Sequence, residues 1–347
     1  MKAAYIERTG PPEVIQYGDL PRPVPAGTQV LVRVAAVSVN PIDTYIRAGL
    51  VPVALPFPFV VGCDLAGIVE EAGPEARRFR VGDRVWGTNQ GLLGRQGVFA
   101  ECAAVDEEWL YPIPDGIPET AAAALALVSM TACLGLFRRA RLRAGETVYV
   151  SGGAGGVGSA VIQMAKAAGA RVLAAAGSAA KAARCLDLGA DRAVEYAAQD
   201  VPAAVREFAP GGVDVWWETS RQPDFERAVP LLAMGGRFVL MAGRDARPVF
   251  PVGPFYTRDC SLHGFAMFNA PAEEQRVCAE RINRWLAEGR LQANVDRVLP
   301  LAETAAAHRL QEGSTVGGSG ALAGKIVLVP AAPQRPRRVQ RAKKSRK

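Results

Sequence analysis

The sequence predicts an α/β protein in two parts, a β-rich first third followed by a doubly wound parallel sheet. Two observations carry this prediction. Prolines are dense between residues 11 and 58, which excludes long helices there because proline lacks an amide donor and fixes its own φ. After residue 119, short apolar strands alternate with helical stretches, as in a parallel sheet covered by helices on both faces. The 347 residues are enough for two domains of ordinary size.

The first part is predicted to form a small β-barrel or sandwich. Its clearest strands are the β-rich runs at 30–34 and 65–69, and a third lies within 81–86, directly after a Gly-Asp turn. The composition changes near residue 119, where 119–139 is rich in alanine and leucine and is predicted to be helical.

The second part is predicted to contain six parallel strands. We place them at 147–151, 171–175, 193–196, 213–217, 237–241 and 261–265, with helices at 157–168, 179–188, 200–208 and 223–233 between them. An amphipathic helix at 271–288, a strand at 295–299, a helix at 302–310 and a strand at 325–329 follow. Because these last elements would complete the first part, we predict domains at 1–122 with 268–330, and at 123–267.

The positive charge of the chain belongs to its last residues. The formal net charge is +7, yet residues 331–347 contain eight basic residues and no acidic one, which leaves 33 basic and 34 acidic residues in the rest. We therefore expect 331–347 to be a disordered, solubilising tail. The positive net charge is therefore no guide to the substrate of the folded part, for which nucleic acid is not expected, and weak attraction of the tail to a polyanion or to a membrane surface is left open.

The sequence also indicates where the protein works. No uninterrupted apolar run reaches the roughly 18 residues of a membrane span, and the N-terminus lacks the pattern of a signal peptide, so we expect a cytoplasmic protein. None of the six cysteines forms a CxxC pair, which indicates reduced thiols. With only two histidines besides, the chain has little from which to build a zinc site, and no metal is expected.

The most specific motif is a glycine-rich turn at residues 150–158. Gly153, Gly155 and Gly158 fit the pattern GxGxxG, with a predicted strand before them and a predicted helix after them. Small residues let backbone amides approach a pyrophosphate, while the helix N-terminus supplies partial positive charge. The turn therefore predicts dinucleotide binding, and a purely structural glycine turn is the alternative.

The end of the second strand of this part favours NADPH over NADH. Enzymes that select NAD usually place Asp or Glu there to hold the ribose hydroxyls, but residues 174–178 contain no acid. Ser178, Lys181 and Tyr196 are candidates to bind a 2′-phosphate. The alternative is that Ser178 caps a helix while Lys181 and Tyr196 are ordinary surface or half-buried residues.

Four stretches together resemble one enzyme family. They are the string Asn-Pro-x-Asp-x-Tyr-x-Arg-x-Gly within 39–49, the segments 62–67 and 82–85, and the turn 154–158. Together they resemble the zinc-free quinone oxidoreductase (zeta-crystallin-like) branch of the medium-chain dehydrogenase/reductase superfamily over about residues 1–330. The resemblance implies a GroES-like catalytic domain, a Rossmann domain, an active site in the cleft between them, and a homodimer or homotetramer.

The resemblance also implies roles for individual residues. It places Ala154, Gly155, Gly156 and Val157 on the pyrophosphate, and Gly177, Ser178, Lys181 and Tyr196 at the adenosine phosphate. It places Leu240, Met241, Ala242, Gly243, Phe265, Ala266 and Met267 around the nicotinamide. Asn40 and Tyr45 would line the acceptor pocket, and Thr131 would face the nicotinamide. The alternative is that Asn40 closes a turn before Pro41 and Tyr45 packs in the core.

The implied chemistry is reduction of a quinone by NADPH without a metal. Zinc-dependent relatives carry a cysteine and a Gly-His-Glu where this chain has Asn40 and Cys63-Asp64. No acid–base pair is evident, so the proton would come from solvent or from Tyr45. Two alternatives stay open: a 2-alkenal or enone reductase, which the apolar segment 50–52 favours, and a low-turnover NADPH-binding protein whose tail contacts RNA.

Overall fold

The computed structural model describes residues 1–331, so the predicted tail lies, apart from its first residue, outside the described part. The strands are β1 (Lys2–Ile6), β2 (Gln16–Asp19), β3 (Gln29–Val39), β4 (Phe59–Val60), β5 (Asp64–Ala72), β6 (Arg84–Gly87), β7 (Cys102–Asp106), β8 (Leu110–Pro112), β9 (Thr147–Val150), β10 (Arg171–Ala176), β11 (Arg192–Glu195), β12 (Val213–Glu218), β13 (Leu232–Leu240), β14 (Ser261–Gly264), β15 (Val295–Pro300) and β16 (Lys325–Val329). The helices are α1 (Pro41–Arg47), α2 (Glu119–Cys133), α3 (Gly156–Ala167), α4 (Ala179–Asp187), α5 (Val201–Phe208), α6 (Phe225–Ala228), α7 (Val252–Tyr256), α8 (Ala272–Ala287) and α9 (Thr304–Thr315).

The GroES-like part is built around the long strand β3. This strand pairs antiparallel with β5, β7 and β16 within a seven-stranded sheet, and β1, β2 and β4 form a second, smaller sheet. Strands β15 and β16 come from the end of the described chain, after the whole second sheet. The polypeptide therefore returns to its first sheet, and that return brings Ile326 opposite Val39.

The Rossmann part is a six-stranded sheet in the order β11-β10-β9-β12-β13-β14, with every pair parallel. The strand order reverses direction at β9, as in a doubly wound fold. Strands β9 and β12 are almost entirely buried, which explains their largely apolar sequences, Thr-Val-Tyr-Val and Val-Asp-Val-Trp-Trp-Glu, since helices cover both faces. All six predicted strands are present.

Helix α2 joins the two parts. It packs against α3 of the Rossmann part and against β3 and β5 of the GroES-like part. With the π-helical turn Leu134–Arg139 it forms the one helix of the described residues that is long and apolar enough to span a membrane. The search of the sequence for uninterrupted apolar runs did not detect this helix. Because 83% of its apolar window is buried inside the protein, the helix belongs to the protein core.

Two elements differ from the sequence prediction. The helix predicted at 223–233 is only α6 followed by a 3₁₀ turn at Val229–Leu231, because Pro230 and the Gly235-Gly236 pair favour the start of β13 instead. Helix α9 begins later and extends to Thr315, so it includes the first residues of the glycine-rich segment 313–324. Strands β1, β2, β4, β7 and β8 were not predicted.

Candidate active site

The glycine-rich turn lies between β9 and α3, at the carboxyl edge of the Rossmann sheet. Gly155 is the N-cap of the 12-residue helix α3 and makes no side-chain cap bond, so the first amides of the helix are free of a side-chain partner. A β-carbon on Gly158 would lie 2.2 Å from the carbonyl oxygen of Gly152, so only glycine lets the helix approach the turn this closely. This geometry suits an anionic pyrophosphate.

Contacts from other segments hold the turn in place. The side-chain amide of Asn294 donates to the Ala154 carbonyl over 3.0 Å, and the Gly153 amide donates to the Ala175 carbonyl over 2.9 Å. Ala154 is buried, whereas Gly155, Gly156 and Val157 stay half-buried and reachable. Sequence reasoning did not identify Asn294, because no motif surrounds it.

The four residues predicted for the adenosine phosphate follow the adjacent parallel strands β10 and β11, with Gly177, Ser178 and Lys181 after β10 and Tyr196 after β11. The Tyr196 hydroxyl lies over Gly177, 2.6 Å from where a β-carbon would stand. The Ser178 hydroxyl accepts from the Lys181 amide over 3.4 Å at the start of α4, so Ser178 does cap a helix. The Lys181 ammonium donates to the Gly320 carbonyl, which places the glycine-rich segment 313–324 beside this pocket.

Two segments at the carboxyl ends of β13 and β14 form the predicted nicotinamide walls. Residues 240–243 and 265–267 run side by side, since the Phe265 amide donates to the Leu240 carbonyl over 3.3 Å. The Phe265 ring meets Trp217 edge-on with centroids 6.4 Å apart. Thr131 is buried on α2, one turn before the π-helical residue Gly135 that packs under both rings.

Asn40 is fully buried and belongs to a polar network. Its side-chain amide donates to Asp64 Oδ2 over 2.7 Å, and its carbonyl oxygen accepts from the Lys325 ammonium. Lys325 also donates to the Val39 carbonyl over 2.7 Å. Asn40 thus closes the turn into α1 and ties it to the end of the chain, whereas Tyr45 lies half-buried on α1. Their contact with an acceptor stays a prediction.

The charges in this network offset one another. Burial raises the pKa of Asp64, whereas the charge of Lys325 and hydrogen bonds lower it. Burial lowers the pKa of Lys325, whereas the charges of Asp64 and Asp43 raise it. Burial also raises the pKa of Asp43 to about 7, although its Oδ2 accepts from the Asn40 amide over 2.8 Å. Sequence reasoning did not identify Lys325. The one feature of the sequence that could have indicated it is a charged residue at the start of the otherwise apolar strand KIVLV.

A second group that sequence reasoning missed is the polar run Thr88-Asn89-Gln90 after β6. All three side chains are buried. The backbone amide of Gln90 donates to the backbone carbonyl of Cys63 over 3.4 Å. Asn89 has φ of +70° and both of its side-chain amide atoms lack a partner among residues 1–331. Because buried polar atoms normally have partners, these atoms are available to water or a ligand next to the network.

Comparisons with known proteins agree with this geometry. Residues 26–115 match the family described as alcohol dehydrogenase GroES-like domain, and residues 156–284 match the family described as zinc-binding dehydrogenase. The chain is 32% identical to rat quinone oxidoreductase over 331 residues, 95% of this chain and 98% of the rat protein. The chain belongs to the quinone oxidoreductase (zeta-crystallin-like) branch of the medium-chain dehydrogenase/reductase superfamily. It is an oxidoreductase of that superfamily.

Solved structures of relatives share the whole fold. Escherichia coli quinone oxidoreductase complexed with NADPH is 26% identical, with a TM-score of 0.82 over 95% of this chain and 100% of that one. A structure described as an NAD-dependent alcohol dehydrogenase is 32% identical, with a TM-score of 0.85 over 95% of this chain and 99% of that one. A nicotinamide dinucleotide therefore fits the glycine-rich turn.

The side chains of this family member do not fit the zinc that one family description implies. Among residues 1–331, no three His, Cys, Asp or Glu side chains stand together as metal ligands. The Lys325 ammonium already contacts Asn40, so a cationic group of the protein occupies this network.

Proposed function

We propose that this protein is an NADPH-dependent quinone reductase that works without a metal. The observation that carries the proposal is that none of the four residues predicted at the adenosine phosphate, Gly177, Ser178, Lys181 and Tyr196, is acidic, and that Tyr196 packs over Gly177 beyond the ends of β10 and β11. A carboxylate there would repel a 2′-phosphate, whereas a lysine, a hydroxyl and a phenol would bind it. The NADPH complex of the Escherichia coli relative supports the same choice.

Each group of residues would perform one task. The amides at the start of α3 hold the pyrophosphate, and the side-by-side segments 240–243 and 265–267 orient the nicotinamide. When bound, NADPH supplies a hydride to the electrophilic atom of the acceptor. Without a Lewis acid to polarise its oxygen, an alcohol is a poor hydride donor. A hydride acceptor must likewise be electrophilic without help from a metal, as a quinone is.

The proton must come from the solvent side of the pocket. Tyr45 is half-buried on α1, and its hydroxyl is our candidate donor to the reduced oxygen, so that one quinone, one hydride and one proton together give the hydroquinone. We expect Tyr45→Phe to lower kcat about tenfold or more while NADPH affinity stays within about twofold. An undiminished kcat would instead assign the proton to solvent.

The second candidate is reduction of a 2-alkenal or enone. Its support is the apolar segment 50–52 beyond α1, where Leu50 is 58% exposed and Val51 packs on the core. The same hydride geometry suits an activated alkene. The third candidate, a low-turnover NADPH-binding protein that contacts RNA through residues 331–347, rests on the charge of that segment alone.

Steady-state oxidation of NADPH and NADH by the chelator-treated protein tests these candidates. An ortho-quinone and a 2-alkenal are offered in parallel. Fast oxidation of NADPH by the quinone, and little by the alkenal, is the expected result. Preference for the alkenal would replace quinone reduction with alkene reduction, and no turnover with either would favour the binding protein. Preference for NADH would contradict the cofactor assignment.

We further propose a cytoplasmic homodimer or homotetramer, which the resemblance supports. Sedimentation velocity of the full chain at micromolar concentration tests the assembly, and a monomer would contradict it.

A further inference from the structure

A second cleft lies at the other edge of the Rossmann sheet. It has a volume of about 660 Å³ and borders the residues just before β9, the start of β14, and the connection after the π-helical turn. The glycine-rich turn follows the carboxyl end of β9, so the two sites are separated by the length of the strand. Six basic side chains line the cleft: Arg138, Arg139, Arg141, Arg143, Arg237 and His263.

Most of this positive charge is not neutralised. The one carboxylate in the lining, Glu146, is fully engaged by Arg237 in two bonds of 3.1 and 2.6 Å. Arg138 pairs with Glu274 outside the cleft over 3.2 Å. The side chains of Arg139, Arg141 and Arg143 are exposed and form no ion pair within residues 1–331. Three guanidinium groups therefore share one concave surface without a counterion from the described chain.

His263 lies in the same lining and is affected by the charges of these arginines. Burial, and then the charges of Arg237, Arg139 and Arg141, lower the pKa of its imidazole. No carboxylate enters that balance, although Glu146 stands in the same lining. The ring lies 3.0 Å from the Ser261 hydroxyl, so a neutral imidazole and a hydroxyl form a hydrogen-bonding floor beneath the arginines.

The backbone at this cleft is also unusual. Arg141 has φ of +51°, a left-handed conformation that costs free energy in any residue except glycine. Strain of this kind persists where the surroundings hold it, often at binding sites. Here the conformation allows the short connection from the π-helical turn to β9 to place Arg139, Arg141 and Arg143 around one cleft.

We propose that this cleft is a second binding site, for a small molecule that carries two or more phosphate groups. Guanidinium groups match phosphate because each can donate two parallel hydrogen bonds. Three such groups exceed what a single phosphate needs, and the volume lies within the range of about 300–1,000 Å³ of small-ligand pockets. The proposal does not depend on the acceptor, because the site lies at the opposite edge of the sheet.

Calorimetric titration of the full chain with tripolyphosphate tests the proposal, with saturating NADPH present to fill the dinucleotide site. The test variant replaces Arg139, Arg141 and Arg143 by glutamine. The matched control replaces Arg8, Arg80 and Arg206, three exposed arginines elsewhere that form no ion pair within residues 1–331. Both variants lose the same charge and keep the basic tail. We expect at least about tenfold weaker binding in the test variant and less than about twofold in the control.

Equal losses in both variants would overturn the site, because general charge attraction would then explain the binding. A second measurement does not depend on any variant. The chain has only two histidines, and His308 is fully buried, so His263 can be followed by NMR. Tripolyphosphate is expected to shift its ring resonances and raise its pKa, because an anion offsets the arginines. Orthophosphate should do so less, and unchanged resonances with tripolyphosphate would overturn the proposal.

Discussion

At the scale of single residues, the side chain of Lys325 connects strand β16 to the turn between β3 and α1. Its ammonium contacts Val39 and Asn40 of the first sheet, 285 residues away in sequence from Asn40, and it offsets the buried Asp64. A buried charge without its partner is costly. The lysine therefore stabilises the turn into α1 on which Tyr45 stands.

Removing this ammonium should destabilise the protein more than removing the whole charge pair. Lys325→Met leaves Asp64 unneutralised, and we expect it to lower the free energy of unfolding by about 3–5 kcal/mol. The double variant Lys325→Met/Asp64→Asn should recover part of that loss, since its asparagine can still accept from Ser38 and Asn40. Urea unfolding of the two single variants and the double variant measures the coupling. Strictly additive losses would show that the two charges, which are linked through Asn40, do not stabilise each other.

Asp43 should make stability depend on pH. Its pKa is about 7 in the folded protein against a usual value of 3.8, because burial disfavours the carboxylate. Between these values the folded state binds more protons than the unfolded state, so stability falls as pH rises through this window, by about 1.4 kcal/mol per pH unit, and levels off above pH 7.

Asp43→Asn removes this loss while its side-chain oxygen can still accept from the Asn40 amide. Relative to the unmodified protein, the variant should gain stability between pH 5 and pH 7 and no more above pH 8. Urea unfolding at pH 5, 7 and 8 is the measurement. A stability difference that stays constant across this range would show that the carboxyl is already ionised.

At the scale of elements, two glycines of the glycine-rich turn have different roles: Gly158 allows close packing, and Gly155 leaves room for a ligand. A β-carbon on Gly155 would meet only the Gly152 carbonyl oxygen, at 3.3 Å, and its φ of −73° suits alanine. A β-carbon on Gly158 would stand 2.2 Å from the same oxygen and 2.8 Å from the Gly153 α-carbon. Backbone atoms on both sides cannot move away cheaply, so the two substitutions should have different consequences.

We expect Gly155→Ala to unfold within about 1 kcal/mol of the unmodified protein yet bind NADPH at least about tenfold more weakly, because its methyl group stands where the pyrophosphate would approach. Gly158→Ala should lose both stability and binding, by more than about 2 kcal/mol in unfolding. Thermal unfolding and NADPH fluorescence titration of each variant distinguish these effects. Tight NADPH binding by Gly155→Ala would remove this glycine from the pyrophosphate site.

The sequence predicted elements best where the pattern is local. Strands β9 and β10 and helices α3 and α4 follow from apolar periodicity, Gly155 and the cap Ser178. It could not predict Asn294 holding Ala154, or Lys181 contacting Gly320, because both contacts join segments far apart in the chain. The predicted end of α9 at residue 310 was wrong because the helix continues through Gly313 to Thr315, although a glycine in a helix costs about 1 kcal/mol relative to alanine.

At the scale of the whole molecule, the return of the chain assembles the site. Strand β16 pairs with β3, so Lys325 at its start reaches Asn40, while Asn294 just before β15 reaches the glycine-rich turn. Helix α2, which carries the buried Thr131, packs on β3 and β5 of the GroES-like part and on α3 of the Rossmann part. No single domain therefore holds all the candidate residues, and the dinucleotide turn and the acceptor side are fixed to each other by three segments.

Charge is divided along the chain rather than spread over it. Residues 1–330 are nearly neutral, with 33 basic and 34 acidic residues, while 331–347 hold eight basic ones. We expect a chain that ends at Pro330 to keep its NADPH turnover and its tripolyphosphate binding, because both sites lie within the described residues. RNA binding should instead be lost, since it depends on the number of phosphates that the basic residues neutralise.

Filter binding of single-stranded RNA across a series of salt concentrations compares the two chains. The full chain should show affinity that falls steeply with salt, and the shortened chain should show none at physiological salt. RNA binding that persists in the shortened chain would assign it to the folded part, and the exposed arginines at 139, 141 and 143 would then be the first residues to replace, because they form the one cluster of uncompensated charge that we identify in that part.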